Sequence, residues 1–274
     1  MDPLVSVNIA TYNSAKTLQK CLDSLKGQSY KNIEIIIMDS YSKDGTLDIA
    51  KNYGATIVFA STLASARKAG AVASKGDFIF LLDSDQILEP NVIEICVKAC
   101  VEQGYDGVTL FEKSLIISNT FVERVIAYDK DIFHSLQDDD PVRGTAIPRF
   151  FRASYFKRIE FEKNPPITFE HTIIHQKIVE MGAKIKFVDA YIWHHETATI
   201  REVAKKFFRY GYYYIPALAF NRAVAFHHSL PRRTYFHYKA LRDPVLFLGL
   251  FYVYFVKAVS AGAGAFSYLF SKKT

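Results

Sequence analysis

The chain has 274 residues, half of them hydrophobic and 23% charged, a balance that supports a substantial core and excludes global disorder. Three cysteines, Cys21, Cys96 and Cys100, form neither a C-x-x-C pair nor a disulfide framework, which points to a reducing compartment. The formal charge of +6 is uneven: from Thr197 onward 12 Lys/Arg face only Glu202 and Asp243, whereas the preceding part carries 22 Lys/Arg and 26 Asp/Glu. An acidic body and a basic, aromatic tail point to an anionic surface as partner.

In chain order, Leu4 to Ala10 reads as a strand, and Thr11-Tyr12-Asn13-Ser14 supplies the cap of a helix from about Ala15 to Leu25. Ile33 to Met38 is a second strand ending in Asp39, followed by a turn and a helix near Leu47–Asn52 that Gly54 stops. Thr56–Phe59 is a third strand, and a small-residue helix from Thr62 to Ala73 carries Arg67. Phe78 to Leu82 is an unbroken apolar run, the pattern of a strand buried on both faces. Pro90 opens a helix to about Glu102, and Gly107–Phe111 is a fifth strand. This alternation predicts an α/β, Rossmann-like, mostly parallel sheet flanked by helices.

The first strand is not followed by G-x-G-x-x-G, and no P-loop is present. The strand ends offer carboxylates instead: Asp39, Asp83 and Asp85. In extended geometry residues i and i+2 point the same way, so Asp83 and Asp85 can converge on one ion or ligand. Ligands of open α/β sheets bind beyond the carboxyl ends of the strands.

Four ordered segments, Val5 to Asn13, Met38 to Thr46, Ala64-Ser65-Ala66-Arg67 and Asp83-Ser84-Asp85, resemble family 2 glycosyltransferases of the inverting GT-A class. The resemblance covers roughly the first hundred residues, with weaker matches to about Glu196. It implies that Ala10, Tyr12 and Asp39 contact the base and ribose of a nucleotide-sugar and that Arg67 lies beside the nucleotide. It also implies Asp83 by the ribose and metal, and Asp85 as a ligand of Mn²⁺ or Mg²⁺. Hard carboxylate oxygens suit such ions, which stabilise a departing diphosphate as Lewis acids.

Further along, Phe133 to Pro148, with Asp138-Asp139-Asp140, reads as either a solvated acidic loop or a flap over the acceptor. Arg149-Phe150-Phe151-Arg152 reads as a strand, with Arg149 or Arg152 available to donor phosphates or an anionic acceptor. At Glu170-His171 the family normally has Glu-Asp, the Asp acting as base, so the departure leaves either Glu170 or His171 to take the proton. A lipid phosphate acceptor, already ionised, would need no strong base. The resemblance also implies that one of His194 and His195 reaches the diphosphate or the metal, His194 being preferred.

In the tail, Phe207, Phe208, Tyr212, Tyr213 and Tyr214 are interleaved with Lys205, Lys206 and Arg209 in a basic amphipathic helix. An apolar run containing Phe247, Phe251 and Phe255 follows, interrupted by Lys257. A mid-span lysine costs roughly 3 kcal/mol in a bilayer, which favours a helical hairpin lying in the interface over one crossing. The expected organisation is a catalytic domain over 1–196, with a nucleotide-sugar half of about 1–112 and an acceptor half of about 113–196, followed by a membrane-association region over 197–274. The expected activity is metal-dependent transfer from a nucleotide-sugar, GDP-mannose foremost, to a lipid acceptor such as a polyprenyl phosphate or glycolipid. The expected place is the cytoplasmic face of a membrane, with no nucleic acid as partner. The alternatives are UDP-sugar transfer to a saccharide, or a non-catalytic peripheral membrane-binding protein.

Overall fold

The structure is a computed structural model and describes residues 2–134, 148–160, 170–220, 222 and 241–271. Its strands are β1 (Val5–Thr11), β2 (Ile33–Asp39), β3 (Thr56–Phe59), β4 (Phe78–Asp83), β5 (Gln86–Leu88), β6 (Gly107–Leu115), β7 (Pro148–Arg152) and β8 (Ile185–His195). They form one sheet in the order β3-β2-β1-β4-β7-β6-β8-β5. β1 pairs in parallel with β2 and β4, and β2 with β3, so the first four strands form the expected parallel array. The rest does not follow that pattern. β7 runs antiparallel to β4 and β6, and β5 antiparallel to β8, so the sheet is mixed. Apolar contacts carry the change of direction: Phe150 of β7 stacks on Phe78 of β4 at 5.0 Å and meets Phe80 edge-on at 5.9 Å. β5 is too short to stand out as a hydrophobic run and was not anticipated.

The flanking helices are α1 (Ala15–Lys26), α2 (Thr46–Asn52), α3 (Leu63–Ala73), α4 (Val92–Val101), α5 (Phe121–His134), α6 (Ala153–Phe156), α7 (Glu170–Glu180), α8 (Ile200–Phe220) and α9 (Pro244–Ser271). α1 buries Leu18, Cys21, Leu22 and Leu25, the four residues that its 3.6-residue periodicity selects. α3 begins in a capping box between Thr62 and Ser65. It lies close to the sheet because its inner face is small: a Cβ on Gly70 would come within 2.4 Å of Met38 Sδ. α7 buries Ile174 and Ile178, with His175 also buried. Burial pushes the His175 imidazole down to about 4.

The sign of that shift fixes a pH dependence. Between about pH 6.5 and 4 the unfolded chain binds a proton at this histidine and the folded chain does not, so stability is complete above that window and is lost as pH falls through it. The loss is of the order of 3 kcal/mol at 1.36 kcal/mol per unit. Urea unfolding across this range should show a His175→Gln variant with a flatter acid limb than the parent; an unchanged limb would place the acid-sensitive group elsewhere.

The chain divides into two compact units. The first runs to Glu112 and adds β7, α6, most of α7 and β8 as far as His194. The second starts at Lys113 and gathers α5, α8 and α9. The expected boundary at 196/197 is thus displaced, because α5 shares a core with the tail: Val125 and Ile132 pack with Val203, Leu250 and Val253.

Within this second unit α9 is one helix of 28 residues, about 42 Å long at 1.5 Å per residue. It is long and apolar enough to cross a membrane by length and composition. The hairpin expected from the interruption at Lys257 does not form, because Lys257 is accommodated. Its Nζ lies 3.5 Å from Asp129 Oδ2 on α5 and 4.3 Å from the Tyr254 ring centroid, and Tyr254 donates to the same carboxylate at 2.9 Å. Gly264 does not loosen the helix either, since a Cβ there would meet the Phe208 carbonyl oxygen at 1.9 Å. Glycine at this position allows α8 and α9 to touch through their backbones.

Candidate active site

The parallel register sets the site. It places Thr11 opposite Asp39 and Ala10 opposite Asp83, so β1, β2 and β4 end together. Asp39 is fully buried. Its carboxylate accepts hydrogen bonds from Thr11 Oγ1 at 2.7 Å, from the Ser42 amide at 2.7 Å and from Ser42 Oγ at 2.6 Å. The Asn13 amide donates to Ser42 Oγ at 2.8 Å and the Lys43 amide to Asn13 Oδ1 at 2.9 Å. The loops after β1 and β2 are thereby laced together. Asp39 is the knot of that lacing, a buried carboxylate that accepts from both segments. Ala10 is half-buried at the same edge, and Tyr12 stands out at 66% exposure.

Asp83 is the electrostatic centre. Arg67, wholly buried on α3, approaches Oδ1 at 3.3 Å. Arg149 of β7 approaches Oδ2 at 3.0 Å and holds Glu112 of β6 at 2.6 Å with its other amino group. Gln86 closes the circuit, donating to Glu112 at 2.8 Å and accepting the Asp83 amide at 2.9 Å. Burial opposes the Arg149 charge, but Asp83 and Glu112 outweigh it and hold the guanidinium's pKa above its ordinary value. A guanidinium thus stands at each Asp83 oxygen. Arg149 is engaged with two carboxylates. Arg152 belongs elsewhere. It pairs with Phe78 at the start of β4, donates to the Cys100 carbonyl at 2.8 Å and lies 3.2 Å from Asp106, at the opposite end of the strands from Asp83.

Asp85 is open, 41% exposed, and its Oδ2 lies 3.6 Å from His194 Nε2. The antiparallel pairing of Gln86 with His194 brings the two side chains together, so the histidine preferred in the sequence is the one beside this carboxylate. Among the described residues no group of three or more His, Cys, Asp or Glu gathers around one point. One carboxylate and one imidazole still fit Mn²⁺ or Mg²⁺ when the donor's phosphates and water supply the remaining ligands.

The backbone of Glu170 opens α7; the side chains of Glu170 and His171, like the whole of Asp138-Asp139-Asp140, lie outside the described residues. In the second unit the tail aromatics divide. Phe207 and Phe247 pack on the α5–α8–α9 core. Tyr212 meets Tyr213 at 5.3 Å and Tyr268 at 5.2 Å. Phe208, Phe251 and Phe255 are exposed, while Tyr213 and Tyr214 are half-buried.

The glycosyl transferase family 2 model matches residues 6–173. The chain belongs to this family. It is 26% identical over 240 residues to the putative glycosyltransferase EpsH of Bacillus subtilis, covering 76% of this chain and 66% of that one. Among solved structures, the mannosyltransferase PcManGT from Pyrobaculum calidifontis, in complex with GDP-Man and Mn²⁺, has a TM-score of 0.58 at 15% identity, covering 97% of this chain and 74% of that one. Staphylococcus aureus TarS 1–349, in complex with UDP-GlcNAc, has a TM-score of 0.56 at 16% identity, covering 98% of this chain and 92% of that one. These likenesses place the fold in the GT-A class that the motif order implied. The chain spans about two thirds or less of the length of the curated family members it matches.

Proposed function

We propose that the chain transfers a sugar with inversion from a nucleoside-diphosphate donor, GDP-mannose in first place, to a lipid acceptor such as a polyprenyl phosphate or glycolipid at the cytoplasmic face of a membrane. The observation that carries the transfer chemistry is the open carboxylate Asp85 beside His194, next to a buried pair of guanidiniums focused on Asp83. Asp85 and His194 would hold a divalent cation, which supplies Lewis-acid stabilisation of the diphosphate leaving group when bound. Arg67 and Arg149 keep the neighbouring Asp83 neutralised, so a further negative charge can enter the site. The acceptor is activated by Glu170 or His171, or enters already ionised if it is a phosphate.

The lipid side of the proposal is supported by α9. Val245, Leu248, Tyr252, Phe255, Val259 and Phe266 are all at least half exposed, and their spacing of three, four and seven residues puts them on one helix face. The basic residues Lys205, Lys206 and Arg209 on α8 suit anionic headgroups. The test is transfer of labelled mannose from GDP-mannose, with Mn²⁺, to polyprenyl phosphate in anionic vesicles and, in parallel, to simple saccharides in solution. The expected result is a labelled lipid and an unlabelled saccharide; efficient saccharide glycosylation with the lipid ignored overturns the acceptor.

A further inference from the structure

β2 is paired on both sides along its second half and on one side along its first. Its register with β1 starts at Val5 opposite Ile33, whereas its register with β3 starts at Ile36 opposite Thr56. Ile33, Glu34 and Ile35 therefore have a strand on one side and, among the described residues, none on the other. Successive residues of a strand direct their main-chain groups to opposite neighbours. The Val5 amide donates to the Asn32 carbonyl at 3.1 Å, so Ile33 and Ile35 direct theirs to the open side. The Ile33 amide turns back to the Lys31 carbonyl at 2.9 Å, which leaves the Ile33 carbonyl and the Ile35 amide facing the open lane.

The end of α2 keeps this lane clear. The Gly54 amide donates to the Lys51 carbonyl at 2.9 Å and the Ala55 amide to the Ala50 carbonyl at 3.2 Å, with Gly54 in the left-handed region at φ of 68°. This Schellman closure commits the two residues before β3 to the helix, so β3 does not extend back beside Ile35. A cleft of about 410 Å³ stands there, a volume within the range of ligand sites. Ile33, Ile35 and the rings of Tyr30 and Tyr53 line it, together with the exposed Lys26 and Lys31. The Glu34 side chain alternates to the other face of the sheet, where it accepts from Ser6 Oγ and from the Lys75 amide. The charge that this cleft offers a ligand is thus positive.

We propose that the cleft is a docking site for an extended acidic peptide of a partner protein, which adds a short strand beside Ile33–Ile35 and sets carboxylates against Lys26 and Lys31. In this mode main-chain hydrogen bonds give affinity and alternate side chains give specificity. The lane lies at the starts of the strands, the opposite end from Asp39 and Asp83, so the inference is independent of the transferase reading. Lysines beside an open edge also guard it against unwanted pairing, and the experiment separates the two roles.

The test is fluorescence anisotropy of the full chain with tagged, amidated peptides of sequence Asp-Val-Thr-Val-Asp and Lys-Val-Thr-Val-Lys. Two further acidic peptides are N-methylated, one at the threonine and one at both valines. An added strand faces β2 through alternate residues, so methylation should lower affinity about 10-fold in one of these analogues and leave the other near the parent. The acidic peptide should bind about 10-fold more tightly than the basic one, and a Lys26→Glu, Lys31→Glu double variant should reverse that order. Both lysines are exposed, so the double variant should keep the wild-type unfolding temperature. Absence of acidic-peptide binding at about 1 mM, equal affinity for the acidic and basic peptides, or equal effects of the two methylations overturns the proposal. The first result would make the lysines guards of the edge, and the last would make the cleft a site for a small amphiphilic anion.

Discussion

Asp85→Asn is expected to lower kcat for sugar transfer by about 10³-fold while leaving thermal stability within about 0.5 kcal/mol of wild type. The two halves of this expectation come from the same geometry. Asp85 is partly exposed, and its one ionic neighbour among the described residues is His194 at 3.6 Å. Removing its charge therefore strands no buried partner. Function is another matter, because an amide is neutral and binds a hard divalent cation far more weakly than a carboxylate does. In the proposed mechanism several kcal/mol of leaving-group stabilisation depend on that cation, and 1.36 kcal/mol is tenfold in rate. The Mn²⁺ concentration for half-maximal rate should rise in the same variant. Asp83→Asn should behave differently, since it leaves the buried guanidinium of Arg67 facing a neutral group and lowers stability as well as rate. Steady-state kinetics and thermal unfolding on both variants check the contrast. An Asp85→Asn enzyme within threefold of wild type would move the metal away from this carboxylate.

The contrast between Asp83 and Asp85 also marks where sequence reasoning succeeded and where it stopped. Strand periodicity was enough to bring Ala10, Asp39 and Asp83 to one edge, because parallel neighbours of similar length end together. It was not enough to assign their duties. Whether a carboxylate faces ligand or scaffold depends on its neighbours, and these arrive from afar: Arg149 and Glu112 reach Asp83 only because β7 pairs antiparallel with β4 and β6. Glu112 carries no motif, being one polar residue after the run Val108–Phe111. Only a pairing scheme for the second half of the sheet would have singled it out. The tail shows the same limit. The helical periodicity around Phe207 was legible, but the continuity of α9 past Lys257 was not. The Asp129 carboxylate that accommodates the lysine lies on α5, assigned by sequence to the other domain.

The second large effect concerns Arg149. Arg149→Met is expected to destabilise the fold by about 2–3 kcal/mol, toward the lower end of the range for breaking a buried ion pair because Asp83 and Glu112 retain some contact with water. The guanidinium has 6% of its side-chain surface exposed and joins a carboxylate at 3.0 Å to another at 2.6 Å. Methionine fills much of its volume and supplies none of its charge. The two carboxylates then face one another, with Arg67 the remaining guanidinium beside Asp83 among the described residues. Protonating one of them relieves the repulsion, so the folded variant takes up a proton that the unfolded chain does not. A folded state that binds more protons than the unfolded state gains stability as pH falls, and the deficit of Arg149→Met should shrink as pH falls toward the carboxylate range. Adding Glu112→Gln should recover part of the loss at neutral pH, because the second substitution removes the charge that the first left unpaired. Arg149→Lys is the informative intermediate. An ammonium is a point charge and lacks the planar fork that spans both carboxylates, so it should restore most of the stability but leave kcat about 10-fold low, through an Asp83 and Asp85 turn that is no longer held in register. Urea unfolding at pH 5 and pH 7.5, with kinetics on the same preparations, separates these outcomes. Equal deficits at the two pH values would mean that Arg149 contributes packing and not charge.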